Sequence, residues 1–310
     1  MDKDKTGNIK NEVLSVNNLS VSFKMYTKGL KRHELNVISN LNVNVFKGEI
    51  LAVAGSSGSG KSLLAHAILG ILPKNAIVKG NISYLGEPLT LKRVQQLRGH
   101  EIALVPQSVD YLDPLLKVGR QISSDSSATE EVLLRYRLDK SVGSLFPFQL
   151  SGGMTRRILI ATALVSGAKL IIADEPTPGM SKTLADKAMK HFRDLANEGA
   201  AVMLITHDID LALGYADRIA VFYAGTTVET ALASDFTNEG LLRHPYTKAL
   251  WRAIPKNGFR PTAGIQPYAG SLPDGCLYAS RCEMKRENCT CGVIKPRTIR
   301  GGKVCCHYAT

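Results

Sequence analysis

The apolar residues of this chain follow two different spacings. Residues 41–45 alternate apolar and polar side chains, which predicts a strand with one buried face. Two further β-rich runs, at residues 13–16 and 19–23, precede it. Because alternating strands are typical of antiparallel sheets with one solvated face, we expect an antiparallel β layer here.

Further along the chain, short continuous apolar runs alternate with helical patterns. The strand-like runs are residues 50–54, 102–105, 170–173, 201–205 and 218–223, and the helical patterns are residues 61–72, 155–165 and 182–197. Pro73 is expected to end the first helix. Strands that alternate with helices imply a parallel sheet, so the predicted fold class is α/β, with a mixed sheet core beside the antiparallel layer.

Charge and composition narrow the class of protein without identifying a ligand. The 310 residues carry a formal net charge of +12, and the mean hydropathy is −0.03. No apolar run is long and uncharged enough to span a membrane, and the first residues lack the apolar segment of a secretion signal. We therefore expect a soluble, intracellular chain. Its positive charge would suit the binding of a polyanion, or the basic residues simply form a solvated surface.

A glycine-rich segment follows the predicted strand at residues 50–54 and precedes a helix. It satisfies the pattern G-x-x-x-x-G-K-[ST] with Gly55, Ser56, Ser57, Gly58, Ser59, Gly60, Lys61 and Ser62. The glycines let successive N–H groups point at phosphate oxygens, and the helix adds its positive N-terminal end. In this pattern Lys61 reaches the β and γ phosphates, and the Ser62 hydroxyl binds Mg²⁺. The segment therefore predicts a nucleotide site.

Two acidic residues, Asp174 and Glu175, end the apolar run at residues 170–173. A carboxylate at the end of such a strand is expected beside the phosphate loop. Asp174 would hold Mg²⁺, directly or through water. Glu175 would polarise the attacking water. Together with the glycine-rich loop, the pair predicts nucleotide hydrolysis.

The segment Leu150-Ser151-Gly152-Gly153-Met154 resembles the signature motif of ATP-binding cassette (ABC) ATPases. It lies a helix-length before the acidic strand, as it does in that family, and the resemblance spans roughly residues 13–223. It implies a P-loop ABC ATPase in which Ser151, Gly152 and Gly153 meet the γ-phosphate of an ATP held by a partner ATPase, so that two chains enclose two ATP molecules.

The same resemblance assigns three further positions. Gln107 matches the Q-loop glutamine that senses Mg²⁺ and contacts the membrane subunits, and His207 matches the switch histidine at the γ-phosphate. The implied catalytic residues are therefore Glu175, His207, Lys61 and Gln107, and the implied Mg²⁺ ligands are Ser62, Gln107 and Asp174. Phe23 is the expected aromatic partner of adenine, with Tyr26 as the alternative.

Three segments resemble the oligopeptide, dipeptide and nickel importers within this family. They are residues 111–119, the HPYTKAL element within residues 243–250, and the C-terminal cysteine pattern of residues 276–282, 289 and 304–307. The resemblance implies an ATPase subunit at the cytoplasmic face of the membrane, paired with a second ATPase and two transmembrane permeases. An extracytoplasmic solute-binding protein would supply the cargo, and no nucleic acid partner is expected.

The sequence does not decide the transported cargo, and it leaves two other functions as alternatives. Peptide is the first expectation, and nickel or a metal chelate is the second. A soluble ABC ATPase acting on nucleic acid or the ribosome is disfavoured, since the sequence has no second cassette, coiled-coil insertion or zinc-hook C-x-x-C. A poorly hydrolysing regulatory partner is a third reading, because Ser181 replaces the carboxylate that usually ends the D-loop. The short stretch between residues 118 and 150 also predicts a reduced docking surface for the membrane subunits.

Composition changes near Pro255, after which glycine, proline, arginine and all six cysteines accumulate. The predicted domains are a disordered N-terminus (1–10), a nucleotide-binding domain (11–235) with a short helical subdomain at about 108–165, and a C-terminal module of the oligopeptide/nickel-importer type (236–310). We expect the small Cys-rich part of that module to be held by something other than a large core.

Clustered cysteines in an intracellular chain bind metal more often than they form disulfides. Their spacing here is not the C-x₂-C pairing of zinc ribbons, whereas four thiolates can hold an iron–sulfur cluster. Relatives in the resembled group imply such a cluster. The predicted ligands of a [4Fe-4S] cluster are Cys276, Cys282, Cys289 and Cys306, and the alternative is a thiol-rich lobe without metal.

Overall fold

The computed structural model describes residues 11–26 and 32–310, so the predicted disordered N-terminus lies outside the described residues. The strands are β1 Glu12–Tyr26, β2 Arg32–Phe46, β3 Ile50–Gly55, β4 Ala76–Tyr84, β5 Glu87–Pro88, β6 Ile102–Val105, β7 Leu170–Asp174, β8 Ala201–Thr206, β9 Arg218–Tyr223, β10 Thr226–Leu232, β11 Arg297–Ile299 and β12 Gly302–Val304. The helices are α1 Lys61–Leu69, α2 Leu91–Leu97, α3 Val118–Ile122, α4 Ser126–Arg135, α5 Gly152–Val165, α6 Lys182–Asn197, α7 Ile209–Leu213 and α8 Pro245–Arg252.

The predicted antiparallel layer is confirmed as a four-stranded sheet in the order β2-β1-β4-β5. The two runs predicted at its start form one strand, β1. Asn18 adopts a positive φ of 50° and donates its N–H to Asn42 Oδ1 at 2.9 Å, at a point where the register with β2 shifts. Since asparagine tolerates this conformation better than most residues, the irregularity lets the strand continue instead of ending.

The mixed sheet has eight strands in the order β11-β12-β10-β9-β3-β8-β7-β6. Strands β6, β7, β8, β3 and β9 are parallel, whereas β10, β12 and β11 extend the sheet in antiparallel pairs. Every residue of β3, β7 and β8 is buried, as expected of parallel strands covered on both faces. The carboxyl ends of these three neighbouring strands therefore meet at one edge.

Two predicted helix boundaries differ from the structure. The first helix ends at Leu69 and not at the expected Leu72, because Gly70 adopts a left-handed conformation and its N–H bonds to the carbonyl groups of the last turn. Helix α5 begins at Gly152 and not at residue 155, because the Ser151 side chain caps it. The signature segment is thus the N-terminus of a helix.

The composition had suggested that the small Cys-rich part of the C-terminal module is held by something other than a large core. The structure shows instead that the C-terminal region packs against the main core. β12 pairs with β10 and so adds to the main sheet, while Tyr246, Ile254 and Tyr278 pack in the same apolar cluster as the central strands. The domain boundaries themselves stay a prediction. Across the described ranges, no helix is long and apolar enough to cross a membrane.

The HPYT segment starts α8 for local reasons. His244 Nδ1 accepts a hydrogen bond from the Tyr246 N–H at 3.0 Å, and Pro245 occupies the first helical position. Burial lowers the pKa of His244 to about 3, so the ring stays neutral and can accept. Capping thus explains why His and Pro stand here.

Candidate nucleotide site

The glycine-rich loop lies between β3, at the centre of the mixed sheet, and α1. Lys61 Nζ donates to the carbonyl oxygens of Gly55 at 2.9 Å and Ser56 at 3.0 Å. Gly58 and Gly60 adopt positive φ angles of 76° and 92°, and a Cβ on Gly55 would lie 2.4 Å from the carbonyl oxygen of Phe222. The fold therefore requires glycine at these positions to curl the chain in front of α1.

Asp174 ends β7 beside this loop and is buried. Its Oδ1 has no hydrogen-bond partner within residues 11–26 and 32–310. Burial raises the pKa of Asp174, and a hydrogen bond from the Ser62 hydroxyl opposes that shift. Burial also lowers the pKa of Lys61, whereas the charges of Glu175 and Asp174 raise it. A buried, unpartnered carboxylate oxygen next to a hydroxyl fits a hard divalent cation such as Mg²⁺.

Glu175 is held in a strained backbone conformation, with a positive φ of 46°. Its N–H donates to the Ile205 carbonyl oxygen at 2.9 Å, which fixes the residue to β8. Its Oε2 lies 2.8 Å from Nδ1 of His207, which follows β8. Because β7 and β8 are adjacent, the two side chains come together although 32 positions of sequence separate them.

Asp208 and His207 are adjacent in sequence, but their side chains make different contacts. The Asp208 side chain accepts the Leu211 N–H at 2.9 Å and caps α7, whereas the His207 side chain is 67% exposed. The His207 side chain is thus accessible to a ligand at the sheet edge.

The signature segment and Gln107 lie on other elements. Ser151 Oγ accepts the Met154 N–H at 3.4 Å, and a Cβ on Gly152 or Gly153 would meet no described atom within 4 Å. Packing within the described chain therefore gives no reason for these two glycines. Gln107 follows β6, and its side chain is exposed.

Arg156 is a residue that the sequence reasoning missed. From α5 its guanidinium donates to the backbone carbonyl oxygens of Gln107 at 2.7 Å and Glu175 at 3.2 Å. It thereby ties the Q-loop and the acidic strand end to the signature helix. The only sequence signal for this role was an arginine one turn into the signature helix. That signal is weak, because an arginine at such a position is equally typical of a solvated helix surface.

The two aromatic candidates for adenine differ in exposure. Phe23 is partly buried and packs against the apolar core beneath the antiparallel sheet, whereas Tyr26 is 65% exposed. The greater exposure of Tyr26 favours it as the ring that stacks on adenine, and the choice between the two residues stays a prediction.

Four cysteines of the C-terminal region line one small pocket beneath α8: Cys276, Cys282, Cys289 and Cys306. Cys291 is exposed, and Cys305 lies outside this pocket. Among the described residues, no group of three or more His, Cys, Asp or Glu side chains is placed to hold a metal ion.

Comparison with known proteins identifies the family. The family described as "ABC transporter" matches residues 38–178, and "Oligopeptide/dipeptide transporter, C-terminal region" matches residues 228–289. The chain is 35% identical to a putative peptide import ATP-binding protein of Brucella melitensis, over 93% of this chain and 91% of that protein. It is 33% identical to the dipeptide transport ATP-binding protein DppD of Bacillus subtilis, over 93% and 92% of the two chains.

Solved structures agree with this relationship. A dimeric ATP-binding cassette in a post-hydrolysis state, bound to ADP and Pi, matches with a TM-score of 0.63 and 25% identity, over 71% of this chain and 98% of that chain. These similarities accord with the loop, acidic pair and histidine that meet at one sheet edge. The chain belongs to the ABC transporter family, in its oligopeptide/dipeptide group, and is a transporter ATPase that uses ATP and Mg²⁺.

Proposed function

We propose that this protein hydrolyses ATP to drive the import of peptides, as a peripheral subunit at the cytoplasmic face of the membrane. The observation that carries the proposal is the meeting of Lys61, Asp174, Glu175 and His207 at one edge of the sheet, in a chain that also has the oligopeptide-type C-terminal region. The relatives named for peptide and dipeptide transport support peptide over nickel as the cargo.

The residues divide the chemistry between them. Lys61 and the loop amides bind the phosphates and stabilise the charge that develops in the transition state. Ser62 and Asp174, with Gln107 as the third expected ligand, would hold Mg²⁺, which would supply positive charge against the phosphates when bound. Glu175 accepts a proton from the attacking water, and His207, whose Nδ1 lies 2.8 Å from Glu175 Oε2, contacts the γ-phosphate.

A second ATPase completes the site. Ser151 is exposed, and a Cβ on Gly152 or Gly153 would meet no described atom within 4 Å, so the start of α5 has room for an ATP presented by a partner chain. Closure and reopening of the ATPase dimer then drive two permeases between inward-open and outward-open states. Ser181 is the residue before α6, its side chain makes no capping hydrogen bond, and it stands at the position where the family usually has a carboxylate.

Uptake by cells tests the cargo. Cells that lack this subunit are expected to lose uptake of labelled peptide by about tenfold or more while keeping Ni²⁺ uptake, because turnover of the ATPase limits transport. Wild-type protein should restore peptide uptake, and the Glu175→Gln variant, which keeps the fold but cannot turn over, should not. Loss of Ni²⁺ uptake with normal peptide uptake would identify a metal cargo, and co-sedimentation with ribosomes in place of permeases would favour the soluble alternative.

We also propose that Cys276, Cys282, Cys289 and Cys306 hold a [4Fe-4S] cluster. What supports this is that the four thiols line one pocket. Four cysteine thiolates are the usual ligand set of such a cluster. The cluster would tie together the cysteine segments of the C-terminal region.

Anaerobic purification tests the cluster. The wild-type chain is expected to contain about four iron and four sulfide ions, and Cys289→Ser to lose most of both, because one thiolate ligand is missing. Cys291→Ser is the matched control, since Cys291 is exposed and outside the pocket. Iron-free wild-type protein, purified without oxygen, would contradict the proposal.

A further inference from the structure

The C-terminal region reaches the glycine-rich loop. Ser56, the second residue of the loop, donates its hydroxyl to Gln266 Oε1 at 2.6 Å, across 210 positions of sequence. Tyr246 of α8 approaches the same serine: burial raises the pKa of Tyr246, and hydrogen bonding with Ser56 opposes that shift. Two elements outside the strand-loop-helix unit therefore contact one residue of the phosphate-binding loop.

Gln266 lies in a segment without regular structure, residues 262–270, which we call the strap. Arg281 anchors the start of the strap, because its guanidinium donates to the Ala263 carbonyl oxygen at 2.9 Å and the Thr262 carbonyl oxygen at 3.2 Å. The same guanidinium donates to the Tyr223 hydroxyl at 3.3 Å. The strap is thus fixed to the end of β9 and to the cysteine-rich segment, three residues before Gln266.

The loop is held at Ser56 from two sides. Lys61 Nζ bonds to the Ser56 carbonyl oxygen at 3.0 Å, and Gln266 bonds to the Ser56 hydroxyl. Gly58, two residues further on, has a positive φ and no neighbour that a Cβ would meet within the described residues, whereas Ser59 is buried and its carbonyl oxygen accepts the Gly225 N–H at 3.1 Å. The turn at Gly58 therefore lies between two fixed points, Ser56 and Ser59. A fixed point at Ser56 reduces the conformational freedom that the loop must lose when a ligand binds.

We propose that Gln266 is a positioning residue for the phosphate-binding loop: through Ser56 it keeps the loop close to its ATP-binding shape, so that the C-terminal region helps to set nucleotide affinity. The proposal rests on the assignment of residues 55–62 as the ATP site. Gln266 is assigned no contact with the phosphates or the reacting atoms. It acts only through the serine.

Gln266→Ala tests the proposal in the full chain. The Kd for a fluorescent ATP analogue, and the KM for ATP of the assembled transporter, are expected to rise about threefold to tenfold, which is the range for loss of one hydrogen bond. The kcat should change less than about twofold, because a preformed loop favours bound substrate and transition state equally. Ile265→Ala, in the same strap and 88% exposed, is the matched control and should leave Kd unchanged.

A double-mutant cycle separates positioning from general stability. In the Ser56→Ala background, Gln266→Ala should cause no further rise in Kd, because the bond is already absent. An unchanged Kd in Gln266→Ala, an equal rise in the Ser56→Ala background, or tighter ATP binding would each overturn the proposal. If Lys61→Ala also binds ATP like the wild type, the site assignment fails; if Lys61→Ala loses binding while Gln266→Ala does not, only the positioning role fails.

Discussion

Glu175→Gln is expected to reduce ATP turnover by more than about tenfold while ATP binding stays intact. The amide has nearly the shape of the carboxylate and keeps the backbone bond to the Ile205 carbonyl oxygen, but it cannot accept a proton from water. The variant should therefore trap ATP in a closed dimer. Release of phosphate at saturating ATP, together with equilibrium binding of nucleotide, measures the two effects separately.

The control for this experiment is Glu198→Gln, an exposed position at the end of α6 with the same chemical change. It should hydrolyse ATP like the wild type. Unchanged turnover in Glu175→Gln would exclude Glu175 as the base, whatever the control does.

Lys61→Ala is expected to weaken ATP binding itself, by about tenfold or more, because the cation that faces the phosphates is removed from a buried position. The substitution also removes the two bonds from Nζ to the carbonyl oxygens of Gly55 and Ser56, so the loop loses an internal support. ATP should raise the melting temperature of the wild-type protein and not that of the variant, since stabilisation by a ligand follows its affinity.

Two companion variants sharpen this result. Lys61→Arg keeps the charge, but the planar guanidinium does not fit the space of a compact ammonium group, so affinity should still fall. Lys74→Ala removes an exposed lysine and should bind ATP normally. Wild-type affinity in Lys61→Ala would remove the phosphate assignment of the loop.

The local segments of the fold were predictable because their determinants are adjacent in sequence. Helix α6 and strand β9 have the predicted bounds, since one presents a helical stripe of buried residues and the other a continuous apolar run. The prediction made the first helix too long. The helix ends at a left-handed glycine, Gly70, before it reaches the more conspicuous Pro73. The C-terminal region was misjudged, because composition does not reveal that Gly302–Val304 would join the main sheet.

Sequence alone determined the strand-loop-helix that is predicted to bind phosphate, the acids that end β7, and the family, since each depends on residues close together along the chain. The tertiary structure decided which of these residues meet. The order of β3, β8 and β7 in the sheet brings Glu175 to His207, and Arg156 joins the signature helix to two backbone segments. The bond between Ser56 and Gln266 depends on chain segments 210 residues apart, and a contact of that kind follows from how the whole chain packs rather than from any local pattern.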